Sequence, residues 1–180
     1  MKTTLLRAIV LGAGVIAVPA MAATSDTETM VVNTSVPAFC SEMTVSSVPM
    51  NLGSLTGPTG QIVTDFSGAV EPERELATSF YCNAPSKVTI TAEPLLNAGV
   101  PVIGDSTSFT NRVDYVATLV WNGVQGNDSS SEVEGQEIAV NEANIGPMSV
   151  KLSQPSVVNN LRPVAGDYTG QIRLTVALAQ

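Results

Sequence analysis

Two cysteines, Cys40 and Cys82, and the lack of any histidine bound the chemistry open to this 180-residue chain. Without imidazole, neither a Ser-His-Asp nor a Cys-His arrangement can be assembled. Two thiolates alone do not complete the tetrahedral shell of zinc, so neither metal nor cofactor is expected at them. The carboxylates Glu71, Glu73 and Glu75, and the pair Glu132 and Glu134, alternate along the chain. On a strand such acids share one face, whereas a glycosidase pair must straddle a cleft; a solvated surface explains them more simply. Asn127 to Glu134 places several hard oxygen ligands of the kind calcium takes in one stretch. It lacks the glycine and carboxylate spacing of an EF-hand, which leaves a solvated acidic turn as the plainer reading. Tyr115 and Trp121 alternate with Ala117 and Leu119, a pattern that fits core packing better than a ligand-binding surface. No catalytic constellation results, and a non-enzyme is expected.

The N-terminus has the layout of an export signal. Lys2 and Arg7 precede an apolar stretch from Ala8 to Val18, then Pro19 and Ala20-Met21-Ala22, with cleavage expected between Ala22 and Ala23. The apolar stretch is about half the ~20 residues needed to span a bilayer, and no later segment is long and apolar enough. Removal of residues 1–22 would leave 158 residues, enough for one domain with a real core. It would leave six basic against sixteen acidic residues, a formal net charge of −10. So acidic a surface argues against nucleic acid and anionic lipid as partners. An exported chain with an even cysteine count favours a disulfide between Cys40 and Cys82 over two buried thiols. Closing that loop contributes about 4 kcal/mol in the chain-entropy model.

Between these landmarks the pattern is β throughout. Leu76, Thr78, Phe80 and Cys82 alternate on one face of a strand, and Val88, Ile90 and Ala92 line the next. A long run through Val113, Tyr115, Ala117, Leu119 and Trp121 ends at Asn122-Gly123, a strong turn dipeptide. Ile138 with Val140, then Met148, Val150 and Leu152, predict two more strands, and Ile172, Leu174, Val176 and Leu178 a terminal one. A first core strand is expected around Val45, Val48 and Pro49 to Leu52. The residues from Gly123 to Glu142 predict a long Ser- and Glu-rich hairpin or loop, and Glu71 to Leu76 is the one tempting helical stretch. About seven short strands punctuated by Gly, Pro and Asn predict an all-β sandwich or barrel over residues 38–180. Residues 23–37 form an extension in which Met30, Val32, Thr34 and Val36 alternate with Val31, Asn33 and Ser35. Such a stretch can pair with its own domain or with an exposed sheet edge on a neighbour.

The order of parts resembles the spore coat protein U domain, found in bacterial surface proteins that include pilins of the chaperone–usher route. The likeness rests on Val31 to Cys40 with Pro49 to Leu55 beyond, on Phe80-Tyr81-Cys82-Asn83, and on Ala165-Gly166-Asp167-Tyr168 leading into the strand through Val176. The middle from Gly123 to Glu142, and an ending without an aromatic residue, depart from it. What the resemblance implies is an immunoglobulin-like sandwich that lacks one strand and leaves an apolar groove. In such proteins a periplasmic chaperone fills the groove first, at an outer-membrane usher the extension of the next subunit replaces it, and a surface fimbrium results. Carried onto this chain, Met30, Val32, Thr34 and Val36 would be the groove-filling side chains, and its partners would be copies of itself or related subunits. The other expectation is a self-complete secreted binding domain, adhesin-like, with a carbohydrate or protein ligand.

Overall fold

The strongest alternating runs become the longest strands. In the computed structural model, which describes residues 28–43, 49–66, 68–69, 71–101 and 103–179, the chain is all-β and sandwich-like. Contacts divide it into two compact units, Met1–Ser35 and Val36–Gln180. The expected leader 1–22, its cut between Ala22 and Ala23, and Val45 and Val48 lie outside the described residues.

Seven strands of five or more residues are described: β1 (Glu73–Cys82), β2 (Ser86–Ala92), β5 (Arg112–Trp121), β6 (Val124–Ser129), β7 (Gln136–Val140), β8 (Asn144–Ser156) and β10 (Ile172–Leu178). Three two-residue strands, β3 (Leu95–Leu96), β4 (Phe109–Thr110) and β9 (Arg162–Pro163), complete the order. One sheet runs β1-β8-β5, and β5 is paired along its other edge by β3 and then β6. The second sheet runs β10-β2-β7, antiparallel throughout. β4 and β9 form a small parallel pair.

Alternation decides what lies between the sheets. Val113, Tyr115, Ala117, Leu119 and Trp121 of β5 are all buried, against Met148, Val150 and Leu152 of β8 and Val88 and Ile90 of β2. Trp121 packs edge-on to Phe80 at 5.2 Å, and its indole N–H donates to the Phe80 carbonyl at 3.2 Å, so a large apolar ring is buried with its one donor satisfied. Asn122-Gly123 forms the β5–β6 turn with positive φ at both residues (42° and 85°), the conformation a two-residue hairpin of this twist requires.

Four expectations need correction. Thr78 is exposed, although it alternates with the buried Phe80 and Cys82. β1 slips register against β8 between Glu75 and Ala77 and again between Ala77 and Phe80, and such bulges turn a strand's face. Pro49 to Leu52 lies outside any strand; past it, Thr56 and Ile62 form only an isolated bridge. The stretch from Gly123 to Glu142, expected as a hairpin or loop, holds β6 and the strand expected at Ile138 and Val140, β7, and the two pair with β5 and β2 rather than with each other. Glu73 to Leu76 lies in β1, so the tempting helical stretch is strand.

The Ala165-Gly166-Asp167-Tyr168 stretch builds the corner before β10. Tyr168 donates its hydroxyl to the Val164 carbonyl at 2.9 Å, with the Thr110 carbonyl at 3.2 Å. Asn97 reaches the Ala165 carbonyl at 3.1 Å. Gly166 has φ +138°, and a Cβ there would lie 2.5 Å from the Asn97 amide nitrogen. Gly166→Ala should therefore lower stability by about 2 kcal/mol through strain and loss of the Asn97 contact, read as a shifted midpoint in urea at unchanged slope.

Candidate functional site

Among the described residues, the last strand has a neighbour on one side only. β10 lies at the edge of its sheet, paired to β2 in full register from Ile172↔Ala92 to Leu178↔Ser86. The flanking bonds, Glu93 N–H to Gln171 O and Ala179 N–H to Pro85 O, make both end pairs non-hydrogen-bonded ones. The backbone groups of Ile172, Leu174, Val176 and Leu178 consequently point away from β2, toward the open edge. The same four side chains form the inward row, and each is only half-buried, unlike the buried rows of β2 and β5. Unpaired backbone groups and uncovered apolar side chains thus coincide on four alternate residues.

Beside the start of this edge lies an open groove with a volume of about 1060 Å³. Its walls are Ile172 and Leu174 of β10 and Leu76 of β1; its floor includes Tyr115, Val150 and Leu152. The segment from Met50 to Thr56 and the corner around Tyr168 flank it. Arg74 and Arg173 stand at the rim, Arg74 joined to Glu71 and to the Pro49 carbonyl, Arg173 to Glu93 at 2.9 Å.

The extension's described part, residues 28–36, forms no strand. Met30, Val32 and Val36 are 86%, 82% and 78% exposed, and Thr34 is exposed as well. These four expected groove-filling residues therefore share neither a ladder nor a buried face. Cys40 and Cys82 are joined in a disulfide with Cα atoms 4.0 Å apart, as expected. They sit opposite each other in a short antiparallel bridge, held by Ser41 N–H to Tyr81 O at 2.8 Å and Asn83 N–H to Phe39 O at 3.0 Å. The Asn83 side chain adds two bonds that sequence reasoning missed: it accepts from Phe39 N–H at 2.7 Å and donates to the Pro37 carbonyl at 3.0 Å.

The oxygen-rich stretch from Asn127 to Glu134 does not converge. Asp128 is 3% exposed and its Oδ2 accepts from the Ala92 N–H at 2.7 Å, whereas Glu132 and Glu134 are exposed. Among the described residues no group of three or more His, Cys, Asp or Glu side chains is placed to hold a metal. Glu71, Glu73 and Glu75 are exposed; Glu73 accepts from the Ser149 hydroxyl at 3.1 Å. Tyr115 and Trp121 are core residues. Among the described residues no helix is long and apolar enough to cross a membrane. No family model, curated protein or solved structure matches the chain.

At the floor of the groove, the Tyr115 hydroxyl donates to the Gln171 carbonyl at 3.3 Å. Burial pushes its pKa well above 10, and the nearby negative charges of Glu93 and Asp128 add to the rise. The unfolded chain therefore loses this proton first as pH rises, so the contribution is full below pH 10 and falls away above it. A titration of urea midpoints should show stability falling from about pH 10 upward, with the fall smaller in Tyr115→Phe.

Proposed function

We propose that the chain is a structural subunit of a bacterial surface filament or coat, in which the groove beside β10 takes the N-terminal extension of the next copy. One observation carries this reading: β10 offers four alternate residues whose outward backbone groups find no strand partner among the described residues and whose inward side chains are only half-buried on the same edge. A single added strand satisfies both at once. The extension has the matching length. Met30 to Val36 spans seven residues with four on one face, as Ile172 to Leu178 does, and its apolar side chains are exposed.

The chemistry of insertion is that of a sheet edge. Main-chain hydrogen bonds to Ile172, Leu174, Val176 and Leu178 supply affinity, and the row of side chains supplies register, since a one-residue slip would turn Asn33 and Ser35 inward. Each copy donates at one end and accepts along another face, so the contact is head-to-tail and builds a filament rather than a closed pair. The likeness to the spore coat protein U domain supports the same reading. With it come export to the periplasm, a chaperone that covers the groove before assembly, an usher at the outer membrane, and a cell-surface destination. The disulfide fits the oxidising compartment that this route passes through.

Size exclusion of the chain lacking residues 1–22 should give concentration-dependent oligomers that vanish when residues 23–36 are deleted. Val32→Asp would bury an unpaired charge in the groove, which should weaken donation about a hundredfold or more while leaving the domain's own urea midpoint unchanged. A monodisperse monomer, equally stable without residues 23–36, would instead fit a self-complete domain that binds a carbohydrate or protein ligand.

A further inference from the structure

The donor segment is joined to its own domain with no slack. Val36, the last groove-filling residue, is followed at once by Pro37, whose carbonyl is held by the Asn83 amide. Phe39 is held through both its N–H and its carbonyl, and Cys40 is bonded to Cys82. Fully extended, the chain advances only about 3.3–3.6 Å per residue, and a domain of this size is tens of ångströms across. A copy that receives Val36 in its groove is therefore held within a residue or two of the donor's surface at Pro37.

The surface waiting there is apolar. Phe39 and Tyr81 point outward, opposite to the bonded Cys40 and Cys82, with their rings edge-on at 5.3 Å. Ile145 of β8 pairs with Tyr81 and so lies on the same outer face. Phe39 is 44% exposed and Ile145 60%, on a strand pair whose opposite face is core. None of these three residues carries a charge, nor do Val36 and Pro37 just before Phe39 in the chain, and exposed apolar surface of this sort marks an interface.

We infer that the Phe39-Tyr81-Ile145 patch is a second contact between successive copies of this chain, docking against the mouth of the groove that has taken the donor's extension. The inference rests on the strand-donation reading, because the short tether is what chooses the occupant. Consecutive subunits are then locked at two places, the inserted strand and the patch beside it, and the assembly is a stiff rod rather than a string of swinging domains.

Three forms of the assembled chain test this: Ile145→Lys, an insertion of Gly-Ser-Gly-Ser between Val36 and Pro37, and both together. The readout is ladder formation on size exclusion and the rate at which ladders fall to monomer in a fixed urea concentration. Ile145→Lys should still form ladders but release subunits about tenfold faster. The insertion alone should cause the same loss without touching the patch, and the combined form should be no worse than either. Release at the unmodified rate in both single forms, with ladders intact, overturns the patch and leaves strand donation standing. No ladder from the unmodified chain overturns both. A benzophenone side chain at position 145 of the full chain should label a second copy; labelling of a different macromolecule in its place overturns the choice of occupant.

Discussion

A strand at the rim of a sandwich has two demands that a single neighbour cannot meet. Half of its backbone groups must find partners outside the sheet, and its inward side chains must find cover from the facing layer. In β10 the register with β2 puts both demands on Ile172, Leu174, Val176 and Leu178. The rest of the molecule is arranged around that edge. β1 stands across the gap as the outer strand of the facing sheet, the Tyr168 corner fixes where β10 begins, and the buried rows of β5 and β8 form the floor. Because the core behind the floor is closed by Trp121, Phe80 and Met148, the domain can keep its shape while one wall stays uncovered.

The covalent bond works at the opposite boundary, where the chain enters the domain. Cys40–Cys82 joins two residues already facing each other in a short ladder, so the bond and the flanking hydrogen bonds enforce one geometry. Asn83 extends that control outward to Pro37 with side-chain bonds alone. Control of the chain thus ends at the residue where the apolar extension begins.

Much of this was legible beforehand, for identifiable reasons. β5 and β10 follow a strict two-residue period and stand as expected, and Asn122-Gly123 marks its turn because it can adopt positive φ at both positions. The disulfide could be read because the expected export and the even count left little else for two thiols to do. β6 was hidden: Gly126, Asn127 and Asp128 are poor strand formers, and the strand exists because β5 pairs with it and the second sheet accepts its aspartate. Thr78 was misplaced because a bulge is set by packing against β8, not by local composition. For the groove, the inward residues of β10 could be named from the sequence, but how far they are covered depends on the whole fold. The patch at Ile145 had no sequence signal, since its outward direction follows from the pairing with Tyr81.

One buried carboxylate has a consequence of another kind. The Ala92 N–H faces the side of β2 on which β7 pairs, but β7 starts at Gln136, opposite Ile90, and does not reach Ala92. Asp128 supplies the missing acceptor from the other sheet. A side chain thereby finishes a ladder that a strand left short, and although Ser130 still donates its N–H to the Tyr115 carbonyl at 2.9 Å, the exposed residues from Ser131 to Glu134 carry no strand pairing. The loop from Ser131 to Glu134, which joins one sheet to the other and leaves Val133 almost wholly exposed, is a place where the chain could lengthen or change composition while the sandwich beneath it keeps its hydrogen bonds. In a repeating assembly, such a loop would be the part of each copy freest to diversify under selection.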